Sequence, residues 1–213
     1  MTPLIKCCGL RRPEDIGLVN RYRPEYAGFV LAPGRRCVSV EEAARLAGAL
    51  APGIGKAGVF VNAPPEALSQ AVSRLRLDIV QLHGEEDDRY IRKIRRLLPG
   101  TVLWKAFRVR SHTVQTAMAD LKSAADTAAD MPLLDTWQPG AQGGTGCRFD
   151  WRLLAEFPRP FVLAGGLNAD NIAEALSWHP ACVDVSSGIE CDGWKDENRM
   201  RAFIIRVRKG YDA

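Results

Sequence analysis

The sequence predicts an α/β chain, a single-domain (β/α)8 TIM barrel spanning residues 1–213. Short apolar, β-branched runs alternate with helix-period segments from end to end, and such alternation implies a parallel sheet covered by helices. The runs number eight, and closing eight strands into a barrel leaves no exposed edge. Three of the last runs lead into glycine-rich turns: Leu133-Leu134-Asp135 to Gly143-Gly144-Thr145-Gly146, Phe161-Val162-Leu163-Ala164 to Gly165-Gly166-Leu167, and Val183-Asp184-Val185 to Ser186-Ser187-Gly188. Glycine lets backbone N–H groups approach a ligand closely, and a turn that opens a helix favours an anion. Two such turns after consecutive strands near the C-terminus match the phosphate cup of a (β/α)8 barrel. A phosphorylated small molecule is therefore the expected ligand.

The strands are expected at Leu4–Cys8, Tyr26–Leu31, Ala57–Val61, Asp78–Leu82, Val102–Phe107, Pro132–Asp135, Phe161–Ala164 and Cys182–Val185. Helix starts carry polar caps and early acids, which suit a helix N-terminus. Pro13 precedes Glu14-Asp15, Ser39 precedes Glu41-Glu42, and Asn168 precedes Asp170. Three apolar stripes are expected to face inward: Ala67, Leu68, Ala71, Val72 and Leu75; Val114, Ala117, Met118 and Leu121; and Met200, Phe203, Ile204 and Val207. A doubly wound open sheet is the alternative, but Gly9-Leu10-Arg11-Arg12-Pro13 after the first strand lacks G-x-G-x-x-G.

With 213 residues the barrel must be compact, since about 200 is the lower bound for this fold. The apolar fraction of 46% and charged fraction of 25% are ordinary for a soluble globular protein. A net charge of +4 is too weak to argue for nucleic acid. Arg89, Arg92, Lys93, Arg95 and Arg96 interleave with Ile91, Ile94 and Leu98 at helical spacing, which reads as a solvated helix face. Lys6 and Arg11-Arg12 break any leader-like apolar stretch, and no apolar run reaches transmembrane length. Six cysteines form no C-x-x-C pair and have no histidine at zinc-finger spacing. Free thiols, a cytoplasmic setting, no metal and no membrane partner are the expectations.

Strand alternation sorts the polar residues onto one face. Lys6 and Cys8 share a side, as do Gln81 and His83; Lys105 and Asp184 sit between apolar neighbours, and Asp135 closes a run of leucines. The apolar side must meet the helix shell, so the polar side faces the barrel axis. Buried charges there need partners, and Lys6 with Asp184 is the natural pair, because strands one and eight are neighbours once a barrel closes. Asp135 lies at a strand's C-terminal end, where barrel chemistry occurs. Cys7 alternates toward the helices and reads as a small buried hydrophobe.

The motifs Lys6-Cys7-Cys8-Gly9-Leu10, Gly58-Val59-Phe60-Val61-Asn62, Gln81-Leu82-His83-Gly84-Glu85 and Leu133-Leu134-Asp135-Thr136 occur in order. Gly143-Gly144-Thr145-Gly146 with Phe149-Asp150-Trp151, Ala164-Gly165-Gly166-Leu167, Asp184-Val185-Ser186-Ser187-Gly188-Ile189-Glu190 and Gly193-Trp194-Lys195-Asp196 complete the set. Together they resemble the phosphoribosylanthranilate isomerases of tryptophan biosynthesis. The resemblance implies a cofactor-free Amadori rearrangement of N-(5′-phosphoribosyl)anthranilate to 1-(o-carboxyphenylamino)-1-deoxyribulose 5-phosphate. It maps the general base to Cys8 and the general acid to Asp135. It maps the arginine that meets the anthranilate carboxylate to Arg36, with Arg35 as the alternative, and the phosphate contacts to Gly165, Gly166, Ser187 and Gly188. Lys6 and His83 are expected beside the substrate. The expected partner is a small phosphosugar, with a monomer as the assembly and a homodimer as the alternative.

The residue types fit this chemistry. Ring opening needs a proton on the furanose oxygen, which a protonated carboxyl supplies, and the resulting Schiff base has an acidic C2 proton for a base to remove. A free thiol has a pKa of about 8.5, lowered by a neighbouring cation such as Lys6. The Gly143–Gly146 segment is expected to shield the reaction from water, and Trp137 lies just past Asp135. Three competing readings are an aminoaldose isomerase of histidine biosynthesis or a bifunctional relative, a silent phosphosugar-binding barrel, and a flavin-binding barrel, which would use the same phosphate cup. The first is disfavoured because the first half of the chain offers no phosphate motif, the second because both Cys8 and Asp135 are retained.

Overall fold

The computed structural model describes residues 2–110, 113–137 and 149–210. Eight strands close into a barrel in chain order: β1 (Leu4–Cys8), β2 (Tyr26–Val30), β3 (Gly55–Phe60), β4 (Ile79–Leu82), β5 (Val102–Arg110), β6 (Met131–Trp137), β7 (Val162–Leu163) and β8 (Cys182–Val185). The helices are α1 (Pro13–Tyr22), α2 (Val40–Gly48), α3 (Pro65–Leu75), α4 (Asp88–Leu97), α5 (Val114–Ala125), α6 (Ile172–Leu176) and α7 (Glu197–Lys209). After β8 comes a short antiparallel pair, β9 (Glu190–Cys191) and β10 (Trp194–Lys195), that the strand pattern did not anticipate. No described helix is long and apolar enough to cross a membrane.

The chain divides into two compact units. One comprises Cys7–Ala106 with Thr127–Met131. In it β2, β3, β4 and β5 pair in parallel, with Ala57 opposite Ile79 and Gln81 opposite Trp104. Its helix caps follow the sequence closely. Asp15, fully buried at the start of α1, accepts from the Arg11 and Arg12 amides at 2.9 and 3.1 Å. Ser39 and Glu42 form a reciprocal capping box on α2. The bonds from Ser39 hold the Glu42 carboxyl below its ordinary range. On α4, Ile91 and Ile94 are buried and the basic residues turn outward, as expected for a solvated face. The α3 stripe is narrower than expected: Leu68, Ala71 and Leu75 are buried, while Ala67 is exposed and Val72 half-buried.

The other unit comprises Met1–Lys6, Phe107–Asp126 and Pro132–Ala213. Here β6, β7 and β8 pair in parallel, Leu133 with Val162 and Val162 with Cys182. The α7 stripe of Met200, Phe203, Ile204 and Val207 is buried as expected. The α5 stripe is not. Ala117, Leu121 and Ala124 are buried, whereas Val114 is 65% and Met118 51% exposed. The inward face keeps Ala117 and Leu121 of the expected stripe and turns toward Ala124, away from Val114 and Met118. Regular helix after Asn168 begins at Ile172, and Asn168 caps the turn that leads into it: its side chain accepts from the Asp170 and Asn171 amides and its carbonyl from the Ile172 amide at 3.1 Å. Between β6 and β7 the described residues form only a 3-10 turn, Trp151–Leu154, in place of a helix.

Candidate active site

In the unit that holds Cys7–Ala106, Cys8 ends β1 and is buried beside fully buried Cys7. Gly9 follows with a left-handed φ of 78°, and its amide donates to the Gly28 carbonyl at 2.9 Å. This turn stops the strand directly after the thiol, and only glycine adopts such a φ without strain. Arg36 is half-buried in the loop after β2 and Arg35 is exposed. That loop is pinned twice: Val38 N donates to the Val30 carbonyl at 3.0 Å, and the Arg11 guanidinium donates to the Arg35 carbonyl at 2.9 Å.

His83 lies just past β4 and is half-buried. Its amide donates to the Phe60 carbonyl at 2.7 Å, and its Nδ1 lies 2.9 Å from Gln81 Nε2. Gln81 and His83 thus do share a face. With the Gln81 amide as donor, Nδ1 is the acceptor. Beside them, Lys105 Nζ forms a buried ion pair with Glu86 at 3.2 Å and donates to the Gly84 and Ala106 carbonyls. Glu86 accepts from the Asn62 amide at 2.7 Å and the Gly84 amide at 2.9 Å. One buried carboxylate therefore ties the loops after β3 and β4 to a lysine of β5.

In the other unit, Asp135 is half-buried near the end of β6. It sits directly against the first glycine turn. A Cβ built on Gly165 would lie 2.6 Å from Asp135 Oδ1 and 2.4 Å from the Thr136 amide. Gly165 and Gly166 both have left-handed φ, 85° and 66°, so neither position tolerates a side chain easily. The second turn packs on the first: a Cβ on Gly188 would fall 1.8 Å from the Leu167 carbonyl. Asp135, Gly165-Gly166 and Ser187-Gly188 thus form one contiguous cluster. Lys6, fully buried, meets Asp184 at 2.8 Å in the anticipated ion pair. A second buried pair joins Lys195 to Glu190 at 2.8 Å, and Lys195 also donates to the Ser186 carbonyl at 2.9 Å. The Gly143–Gly146 segment, His112 and Cys147 lie outside the described residues, as does the side chain of Trp137.

A protein-family model described as N-(5′phosphoribosyl)anthranilate (PRA) isomerase matches residues 5–206. The chain belongs to this family. A family member from Clostridium acetobutylicum, N-(5′-phosphoribosyl)anthranilate isomerase, is 44% identical over 210 residues, covering 96% of this chain and 98% of that protein. The crystal structure of phosphoribosyl anthranilate isomerase from Thermotoga maritima superposes with a TM-score of 0.83 at 34% identity, covering 98% of this chain and 99% of that one. Another family structure holds reduced 1-(o-carboxyphenylamino)-1-deoxyribulose 5-phosphate, and aligns with a TM-score of 0.80 at 32% identity over 97% of this chain and 98% of its own.

Three buried polar residues were not singled out by strand alternation: Glu86 in one unit, and Glu190 and Lys195 in the other. Glu86 lies in a loop, where strand alternation has no reach. The other two had a local signal. Asp192-Gly193 between them is a strong two-residue hairpin dipeptide, and both residues adopt left-handed φ, 51° and 81°.

Proposed function

We propose that the chain converts N-(5′-phosphoribosyl)anthranilate to 1-(o-carboxyphenylamino)-1-deoxyribulose 5-phosphate, working as one (β/α)8 domain in the cytoplasm on the tryptophan biosynthetic route. Family membership over residues 5–206 supports the reaction, and the contact of Asp135 with the glycine turns supports the assignment of roles. The substrate is a small phosphosugar. Its phosphoryl end is held by the backbone amides of Gly165, Gly166, Ser187 and Gly188, with no cofactor in the cycle.

Asp135 donates a proton to the ring oxygen as the bond from C1 to that oxygen breaks, which leaves a Schiff base between C1 and the anthranilate nitrogen. The Cys8 thiolate removes the C2 proton, and the electron pair moves through C1 to nitrogen. The enolamine then gains a proton on C1 and loses one from the C2 hydroxyl, giving the ketose. The thiol proton returns to Asp135 through solvent, so the cycle closes without an external reductant. General acid and base each contribute roughly 10²–10⁴-fold. Arg36 meets the anthranilate carboxylate, while Arg11 holds the backbone at Arg35. His83, with its ring fixed by Gln81, lines the substrate. Lys6 supports the site through Asp184.

Turnover of freshly generated N-(5′-phosphoribosyl)anthranilate, followed by the change in anthranilate fluorescence, tests the reading. Multiple turnovers without added cofactor are expected. Binding of a product analogue with no conversion of substrate would overturn it in favour of a silent phosphosugar-binding barrel.

A further inference from the structure

We infer that the buried Glu190–Lys195 pair is a positioning device for phosphate: Lys195, held by Glu190, sets the orientation of the Ser186–Ser187 peptide and thereby the affinity of that turn for a phosphoryl group. The inference deepens the proposed function and rests on its phosphate site.

The hairpin of β9 and β10 brings the two residues directly opposite one another, Lys195 against Glu190. Their side chains are 1% and 4% exposed, so each charge is stripped of water and needs its partner. Lys195 Nζ makes three contacts here: Glu190 Oε1 at 2.8 Å, the Ser186 carbonyl at 2.9 Å and Ser186 Oγ at 3.5 Å. The Ser186 carbonyl otherwise accepts from the Ile189 amide at a longer 3.4 Å. Lysine is therefore the closer donor to this oxygen.

The consequence follows from peptide planarity. The Ser186 carbonyl and the Ser187 amide belong to one trans peptide, in which C=O and N–H point in opposite directions. Drawing the carbonyl toward Lys195 turns the Ser187 N–H away from the hairpin. The neighbouring residue cannot compensate by shifting, because Gly188 is pressed on the Leu167 carbonyl. The ammonium is thus a remote setting for one phosphate donor. It touches no reacting atom, so it acts on binding and not on the chemical step.

The probe is inorganic phosphate as a competitive inhibitor, with thermal midpoints measured on the same samples. Lys195→Met and the double variant Lys195→Met/Glu190→Leu should weaken phosphate inhibition about tenfold, the size of a lost charge-assisted hydrogen bond. They should raise KM similarly, with kcat within about twofold. The double variant removes both buried charges, so its midpoint should recover toward the wild type while its phosphate affinity stays low. Glu190→Gln keeps an Oε1 acceptor for Lys195, which stays on the Ser186 carbonyl, and should retain near-normal inhibition. Lys195→Leu/Glu190→Met carries the same test if the first double variant does not fold. Wild-type inhibition constants in the double variant, or equal losses in Glu190→Gln, would overturn the inference and leave the phosphate site standing. Absence of competitive inhibition in the wild type would instead overturn the phosphate site itself.

Discussion

The loops at the ends of β3 and β4 and the turns after β7 and β8 are both rigid, but by opposite means. The first region uses a side chain. Glu86 gathers two backbone amides and the Lys105 ammonium around one buried carboxylate. The second uses missing side chains: Gly165 lies directly against Asp135 and Gly188 against the Leu167 carbonyl. The contrast is chemical. A carboxylate would repel a phosphoryl group, while exposed amides bind one. The side-chain clamp thus borders His83, and the glycine turns border Asp135.

The largest expected effects fall on Cys8 and on Asp135 beside the Gly165 turn. Cys8→Ala and Asp135→Ala should each lower kcat about 10²–10⁴-fold with unchanged thermal midpoints. Cys7→Ser, on the opposite strand face, should keep most of the turnover, and equal loss there would mean the facing of β1 was misread. Next comes Lys105→Met, which leaves Glu86 buried without its cation and should cost about 3–5 kcal/mol in urea denaturation. A cost near zero would mean that Glu86 is satisfied by the amides alone. Arg36→Ala should weaken substrate binding by about 1.5–3 kcal/mol, the scale of a charge-assisted hydrogen bond, with Arg35→Ala nearly silent. A reversed order in KM would transfer the role to Arg35.

In the glycine region, Gly188→Ala should destabilise the fold by about 1–3 kcal/mol through overpacking and should weaken phosphate binding as well. A variant that loses stability but keeps phosphate affinity would separate packing from binding. The smallest effect belongs to Tyr90, whose hydroxyl donates to the Ala63 carbonyl at 2.6 Å. Burial, then the charges of Glu86 and Glu66, push its phenol from 10.0 up to about 12. The protonated phenol is favoured in the folded state, so this contribution is complete below pH 10 and is lost as pH rises toward 12. Tyr90→Phe should flatten the stability profile in that window, and an unchanged slope in alkaline denaturation would exclude the coupling to Glu86.

Much of the architecture was legible from residue order alone. The eight strands fall where the apolar runs do, because a two-residue alternation needs no knowledge of neighbours. The same alternation placed Lys6 with Asp184 and Gln81 with His83. Capping at Ser39 was equally local. Two features fell outside these local rules. Val114 and Met118 fitted a helical stripe, yet the helix seated itself on alanines instead. The Asp192-Gly193 hairpin was written in the chain, but two-residue strands are too short for periodicity to reveal.

By itself, the amino-acid order determined the alternating strand–helix plan, the inward polar faces and the glycine turns, since each depends on residues within a few positions of one another. Only the tertiary structure decided which buried charges meet outside the strands. Glu86 finds Asn62 from 24 positions away, and the Gly165 turn rests on Asp135 across two strands. A buried ion is stable only where long-range folding delivers its partner, and no local period encodes that meeting.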